Sequence, residues 1–124
     1  MIAIGIGCRR GVSATQIQAA VAAARAALPE LAGPAILCSG VPKAAEAGLR
    51  EAGAALAMPL RFFAVEALRD VPTVTRSKAS LAEFGVASMA EAAALIGAGK
   101  GARLLLPRII HDGVTCAIAQ GEDQ

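Results

Sequence analysis

The sequence predicts one α/β domain, in which a mixed, mostly parallel sheet is flanked by helices to give three layers, α/β/α. Apolar runs typical of buried strands occur at residues 2–6 and 35–38, and each is followed by a stretch with helical spacing or a helix start signal. Two more apolar runs stand close together near the end of the chain, as the strands of an antiparallel pair do.

The first predicted strand, residues 2–6, is expected at the centre of the sheet. Its isoleucines are β-branched, and Gly5 leaves room for another backbone to approach closely. Ser13 and Gln16 fit a capping box that opens a helix over residues 14–28, and a following proline ends that helix.

Residues 35–38 form the second predicted strand. Pro42 suits the first turn of a second helix, which is expected to run to about Ala52. Residues 54–58 are a candidate strand, and residues 59–63 are expected to form a loop.

The middle of the chain predicts a short helix over residues 64–68, followed by an extended or looped segment over residues 71–77. Capping boxes of the form Ser-x-x-Glu start at Ser80 and at Ser88, and the second opens a clear helix over residues 89–98.

The last two strands are predicted at residues 103–106 and 114–119, as an antiparallel pair joined across residues 107–113. Residues 1–120 are therefore expected to form the domain, and residues 121–124 a polar tail.

Composition excludes several classes of protein. At 124 residues the chain can build one hydrophobic core, and its 56% hydrophobic content is not that of a disordered chain. A net charge of +2 and only three phenylalanines as aromatics give no support for a nucleic-acid partner. No apolar run reaches the roughly 20 residues that a membrane helix needs, and residues 2–6 are too short for a signal peptide, so no membrane partner is predicted.

The cysteines Cys8, Cys38 and Cys116 are odd in number and far apart. This pattern disfavours a disulfide framework and indicates a reducing compartment, the cytoplasm. Together with His111 they lack the spacing of zinc ligands. Neither a metal nor a cofactor is predicted.

The turn after the first strand is the first candidate binding site. Arg9 and Arg10 stand just before a helix start, where the helix dipole disfavours cations, and such broken local rules concentrate at functional sites. Free N–H groups near Ser13 would hold an external anion beside the arginines. The alternatives are a plain turn with solvated arginines and a dinucleotide-binding turn. The second is disfavoured because the last glycine, Gly11, comes one residue late and no acidic residue ends the second strand.

Lys43 is predicted in the first turn of the second helix, again a cation at the positive end. Neighbouring parallel strands end at the same edge of a sheet, so Lys43 is expected to face Arg9 and Arg10 as a further anion contact. The alternative is a surface ion pair between Lys43 and Glu46.

Phe62 and Phe63 are adjacent aromatics, of which one is expected in the core and the other against a flat ligand. Cys8 lies near a helix start beside two arginines, conditions that lower the pKa of a thiol, so it is a candidate nucleophile. His111 could be its basic partner.

Four stretches resemble, in order and in spacing, the CobE/CbiG C-terminal domain family of cobalamin (vitamin B12) biosynthesis. They are Gly5-Ile6-Gly7-Cys8-Arg9-Arg10-Gly11, Ser39-x-x-x-Lys43-x-x-Glu46-x-Gly48-Leu49, Gly85-Val86-x-Ser88-x-Ala90-Glu91-Ala92-Ala93-Ala94-Leu95 and Thr115-x-Ala117-Ile118-Ala119. The resemblance covers nearly the whole chain, and the length is most like the free-standing members of the aerobic pathway.

The resemblance implies an α/β fold, a place in cobalamin biosynthesis, and a corrinoid (precorrin) tetrapyrrole intermediate as the ligand. Such intermediates carry many carboxylates around a flat apolar ring, which Arg9, Arg10 and Lys43 would bind at its edge. Longer family members open a ring-A lactone and release a two-carbon fragment, using a partner domain that these residues do not include. The predicted ligand-binding residues are Gly7, Cys8, Arg9, Arg10, Gly11, Ser13, Ser39, Lys43, Glu46, Phe62 and Phe63.

Three hypotheses on function remain open at this point. The first is a protein that binds an intermediate and carries, presents or modifies it. The second is a hydrolase acting on a precorrin lactone or acetyl group with Cys8, Ser13 or a bound water as the nucleophile. The third is an accessory domain that docks on another enzyme of the pathway.

Overall fold

The structure, a computed structural model, describes residues 1–122 of the chain. The strands of this range are β1 (Ile2–Cys8), β2 (Ala35–Gly40), β3 (Leu60–Phe63), β4 (Arg103–His111) and β5 (Val114–Gln120). The helices are α1 (Ala14–Ala26), α2 (Ala47–Ala55), α3 (Val65–Arg69), α4 (Lys78–Phe84) and α5 (Met89–Ala98), with a short 3₁₀ helix, η1, at Val41–Lys43.

Within residues 1–122 the strands form one five-stranded sheet in the order β3-β2-β1-β5-β4. β1 pairs in parallel with β2, and β2 with β3, whereas β5 is antiparallel to both β1 and β4. The predicted mixed α/β fold is therefore confirmed, and β1 occupies the centre, as expected from its apolar sequence.

Side chains of β1 point alternately into two cores, one on each face of the sheet. Ile2, Ile4 and Ile6 pack with α1 and α2, while Ala3 packs with α3 and α5. Gly5 shares the α5 face, and a Cβ added there would overlap the backbone carbonyl of Ala90. A glycine at this position lets α5 lie directly on the central strand.

The segment around the second helix differs from the prediction. Pro42 lies in the 3₁₀ helix η1, which begins at Val41, whereas α2 begins only at Ala47 and continues through Ala55. The strand expected at residues 54–58 and the loop expected at residues 59–63 are both wrong, because β3 forms over Leu60–Phe63. β3 is a short edge strand, and its pairing with β2 rather than its own sequence pattern makes it extended.

The capping box predicted at Ser80 is also wrong. α4 begins three residues earlier, and its cap is Ser77, whose Oγ accepts a hydrogen bond from the Ser80 N–H at 3.2 Å. The helix predicted over residues 89–98 is confirmed. Its cap is Ser88, whose Oγ accepts from the Glu91 N–H at 3.2 Å.

The final antiparallel pair is confirmed, but β4 is longer than predicted and includes Pro107. Proline is accommodated because β4 is an edge strand with irregular register around that position. Asp112 and Gly113, both with positive φ, form the turn to β5. In the predicted tail, Gly121 and Glu122 hydrogen-bond to the backbone of Met1 and Lys100, and residues 123–124 lie outside the described range.

No single helix of the described chain is long and apolar enough to cross a membrane. Only when taken together do α4 and α5 meet the test of length and apolar content for a membrane span, and they are bent by 75° to one another. α5 is largely buried inside the domain, and a core helix passes the same test.

Candidate functional site

A cavity of about 630 Å³ opens where the carboxyl end of β1 meets the β4–β5 hairpin. Gly7 and Thr115 contribute to it from the sheet, Met89 from the start of α5, and Phe84 from α4. Its volume lies within the range of ordinary small-molecule sites. The lining residues are Gly7, Cys8, Arg9, Arg10, Lys43, Ser77, Ala79, Ser80, Glu83, Phe84, Ser88, Met89, Arg108, Ile110, Gly113 and Thr115.

The charge of this lining is strongly positive. Among the described residues it carries the cations Arg9, Arg10, Lys43 and Arg108 against the single carboxylate of Glu83. Low-dielectric walls lined by one sign of charge concentrate the electrostatic potential, so the cavity attracts anions.

Lys43 is the least exposed of these cations, with 7% of its surface accessible. Its Nζ lies over the ring of Phe84, 5.4 Å from the centroid, in a cation–π contact. The ion pair with Glu46 considered from the sequence does not form within residues 1–122. Instead, Glu46 Oε1 accepts a hydrogen bond from the Gly11 N–H at 2.8 Å.

Several N–H groups of the β1–α1 turn have acceptors within the protein. Ser13 Oγ accepts from the Gln16 N–H at 3.1 Å, and Gln16 Oε1 accepts from the Ser13 N–H at 2.9 Å, which completes the predicted capping box. Gln16 also donates from Nε2 to the Asp112 carbonyl at 3.2 Å, which ties the turn to the β4–β5 hairpin. The structure thus separates the two parts of the anion hypothesis: the arginines line the cavity, whereas the N–H groups of Ser13 and Gln16 have partners within the capping box.

The structure places the other predicted ligand residues outside the cavity. Ser39 is buried and donates from Oγ to the Ile6 carbonyl at 2.6 Å. Phe62 and Phe63 are half-buried in β3, where they pack against opposite cores. The aromatic ring in the cavity belongs to Phe84 instead, which the sequence pattern did not indicate although Phe84 directly precedes Gly85-Val86.

Cys8 lies at the end of β1 and lines the cavity. Burial raises the pKa of the Cys8 thiol, an effect that the charge of Lys43 opposes and that of Glu46 reinforces. The lowering expected from the nearby arginines is therefore wrong, because desolvation dominates. His111 and Cys8 both pair with Val114, from opposite sides of β5, so their backbones are two strand spacings, about 10 Å, apart.

Glu91 fixes the backbone of Arg108, one of the residues that line the cavity. It is fully buried, and its carboxylate accepts hydrogen bonds from the Val74 N–H at 2.7 Å, the Thr75 N–H at 3.0 Å, the Thr75 hydroxyl at 2.7 Å and the Arg108 N–H at 2.9 Å. Burial alone would raise the pKa of this carboxyl, but the four hydrogen bonds outweigh it, and the pKa lies below its ordinary value. The sequence predicted Glu91 as part of a capping box at the start of α5. Its side chain instead joins α5 to the segment before α4 and to β4.

In the part of the chain that the structure describes, no group of three or more His, Cys, Asp or Glu could hold a metal ion. The cavity presents the cationic donors of Arg9, Arg10, Lys43 and Arg108 together with apolar surface.

Comparisons with known proteins agree with one another. A family profile described as cobalamin synthesis G C-terminus matches residues 2–119. The structure is similar to the crystal structure of CobE, a protein from the cobalamin (vitamin B12) biosynthetic pathway, with a TM-score of 0.88 and 34% identity, covering 100% of this chain and 92% of that one. It is also similar to the cobalamin biosynthesis protein chiG from Agrobacterium tumefaciens, with a TM-score of 0.75 and 37% identity, covering 99% of this chain and 100% of that one.

A cobalamin biosynthesis protein G homolog from Sulfolobus solfataricus shares the fold, with a TM-score of 0.67 and 21% identity, covering 98% of this chain and 37% of that one. A comparison with curated proteins found no match.

Proposed function

The chain belongs to the cobalamin synthesis G C-terminus family and is a protein of cobalamin biosynthesis, and from that premise we propose that it binds a carboxylate-bearing corrinoid (precorrin) intermediate of the aerobic pathway in the basic cavity. Binding rather than turnover is the function that the chemistry of the cavity supports best.

The observation that carries this proposal is the position of Lys43. A lysine side chain with only 7% of its surface accessible normally has a carboxylate partner, because partial removal of its charge from water is costly. Here its partner is an aromatic ring, and Arg9 and Arg10 add further positive charge to the same cavity. A ligand carboxylate would complete the ion pair.

The apolar part of the lining suits the rest of such a ligand. Phe84, Met89 and Ile110 present a ring, a thioether side chain and an aliphatic side chain to the same cavity. A flat macrocycle can rest on this surface while the carboxylates at its edge reach the cations.

A spectroscopic titration tests the proposal. The wild type should shift the absorbance of a hydrogenobyrinic-acid-type tetrapyrrole with saturable binding, and Lys43→Met should weaken that binding roughly ten- to a hundredfold, the loss of one charge-assisted contact. Lys100→Met is the matched control, because Lys100 is exposed and outside the cavity lining. Absence of saturable binding by the wild type would refute the proposal.

Product analysis on the same samples separates binding from hydrolysis. Recovery of the unchanged tetrapyrrole is expected, because the raised pKa of Cys8 leaves little thiolate and Ser13 is engaged in its capping box. An opened lactone or a released two-carbon fragment would favour the hydrolase. A wild type that binds no tetrapyrrole but binds another pathway enzyme would favour the accessory role.

The free state of Cys8, Cys38 and Cys116 supports a reducing compartment, and we extend the proposal to the cytoplasm.

A further inference from the structure

Two polar atoms in the wall of the cavity have no partner. Ser80 Oγ and Arg108 Nε are both shielded from solvent, and neither makes a hydrogen bond within the described chain. Both residues line the cavity. Buried polar atoms are nearly always paired, so two unpaired atoms among the residues that line one cavity call for an explanation.

Their place in the fold sets them apart from Lys43. Lys43 follows β2 and Arg108 lies in β4, and three strand spacings, about 14 Å, separate those strands in the sheet. Arg9 and Arg10 follow β1, which lies between them. The cations of the cavity therefore follow the edge of the sheet and do not form one cluster.

We propose that Ser80 and Arg108 form a second carboxylate-binding subsite, which holds the ligand at the edge opposite the one that Lys43 binds. The inference rests on the proposed function and adds to it that recognition is two-ended: the ligand must carry carboxylates on both sides of its apolar body. A guanidinium and a hydroxyl supply complementary donors to one carboxylate.

The surrounding contacts fit this role. The backbone N–H of Arg108 is fixed by Glu91, which positions the residue without occupying its side chain. Within residues 1–122 the guanidinium makes only a long contact, from Nη2 to the Arg76 carbonyl at 3.4 Å. α4, which carries Ser80, has no buried residue, and elements with few buried contacts open most readily. A rotation of the Ser80 side chain would turn its hydroxyl toward a ligand.

The test compares Ser80→Ala and Arg108→Met in the tetrapyrrole titration. Arg108→Met should weaken binding roughly ten- to a hundredfold and Ser80→Ala roughly three- to tenfold, since one donor is charged and the other neutral. Neither variant should melt at a lower temperature than the wild type, because each removes an unsatisfied polar atom. Arg103→Met, an exposed arginine of the same strand outside the cavity lining, is the control.

A double variant tests whether the two residues share one carboxylate. Ser80→Ala combined with Arg108→Met should bind about as weakly as Arg108→Met alone, whereas Lys43→Met should add its full loss to either variant. A ligand whose carboxylates are converted to amides should bind wild type and Arg108→Met alike.

The outcomes separate the two proposals. A wild type without binding overturns the proposed function and this inference together. Binding that depends on Lys43 but is unchanged in both Ser80→Ala and Arg108→Met overturns the second subsite alone. Lowered melting temperatures with unchanged affinity would assign the two residues a structural role, and Ser80→Ala decides the matter should Arg108→Met fail to fold.

Discussion

α4 and α5 are consecutive helices that begin in the same way and pack in opposite ways. Each has a serine N-cap, Ser77 or Ser88, whose Oγ accepts from a backbone N–H at 3.2 Å. α5 buries eight of its ten residues, whereas α4 buries none. Both helices contribute residues to the cavity. The cavity is therefore lined on one side by α5, which belongs to the core, and on another by α4, which has no buried residue.

The difference has a simple origin in side-chain size. α5 is rich in alanine and contains Gly97, so its backbone can lie close to β1 at Gly5. α4 has the sequence Lys-Ala-Ser-Leu-Ala-Glu-Phe, and Phe84 at its end packs partly against the core. An N-cap specifies where a helix begins, but the small residues behind it decide whether it enters the core.

The largest expected effect comes from the same substitution in each helix. Ala93→Asp places a charge at a fully buried position of α5 and should abolish soluble expression. Ala82→Asp, at an exposed position of α4, should lower the melting temperature by a few degrees at most. Expression yield and thermal melts check both. Ile4→Asp in β1 should behave like Ala93→Asp, and normal folding of either variant would mean that this region is not the core.

A smaller effect should follow from the two glutamates of these helices. Glu91→Gln removes the buried charge that four hydrogen bonds hold, and it turns an amide NH₂ toward N–H donors. It should lower the free energy of unfolding by about 2–4 kcal/mol. Glu83→Gln, at an exposed position of α4, should change it by less than about 0.5 kcal/mol. Denaturant unfolding measures both, and equal effects would contradict the contrast between the helices.

The stability of the folded protein should also depend on pH through Glu91. The folded-state pKa of this carboxyl lies below its ordinary value of 4.5, so its contribution to stability is complete above about pH 4.5 and is lost as the pH falls through the folded-state value. Melting temperatures of the wild type should therefore fall below that pH more steeply than those of Glu91→Gln. Parallel pH profiles of the two proteins would show that the carboxylate does not titrate with folding.

Much of the core could be predicted from the sequence because its signals are local. The isoleucines and glycines of β1, the capping box at Ser13 and the alanines of α5 each indicate their structure without reference to distant residues. β3 could not be predicted, since its four residues become a strand by pairing with β2 across more than twenty residues of sequence. Of the adjacent Phe62 and Phe63, one was predicted in the core and the other against a flat ligand, whereas both are half-buried and pack against the two cores.

In the candidate site, too, residues with a local signal could be predicted and residues brought in by non-local packing could not. Arg9, Arg10 and Lys43 were predicted because each is a cation at a predicted helix start, and the rule for neighbouring parallel strands placed them at one edge of the sheet. Ser80 and Arg108 were not predicted, because they stand on α4 and β4 and line one cavity only in the folded chain. The contacts that a helix without buried residues makes with distant parts of the chain produce no periodic pattern in the sequence.

Residues at the rim of the cavity should affect binding without affecting stability. Arg10→Ala should weaken tetrapyrrole binding roughly ten- to a hundredfold, and the wild-type affinity should fall with added salt because Arg10 is exposed. The melting temperature should stay level or rise, since a cation leaves the vicinity of a helix start. Titrations paired with thermal melts check this, and unchanged affinity with a lowered melting temperature would assign Arg10 to structure.

The smallest effect concerns the thiols. Cys8, which is partly exposed, should react with iodoacetamide before Cys38 and Cys116, since burial raises the pKa of each of the latter to about 12. The rate at Cys8 should rise with pH through and above 9, because the raised pKa of this thiol delays thiolate formation. Mass spectrometry of peptides measures the order, and denatured protein, in which all three should react, is the control. Modification of Cys116 first would contradict the packing of β5.

The two ends of the described chain meet at the side of the sheet away from the cavity. The Met1 carbonyl accepts a hydrogen bond from the Gly121 N–H at 3.0 Å, at the amino end of β1, and the seven residues of that strand place the cavity about 23 Å away. A chain attached at either end would therefore leave the mouth of the cavity clear. Gene fusion can then recombine this fold with other domains without rebuilding its binding site, and in the Sulfolobus solfataricus homolog the fold spans 37% of a longer chain.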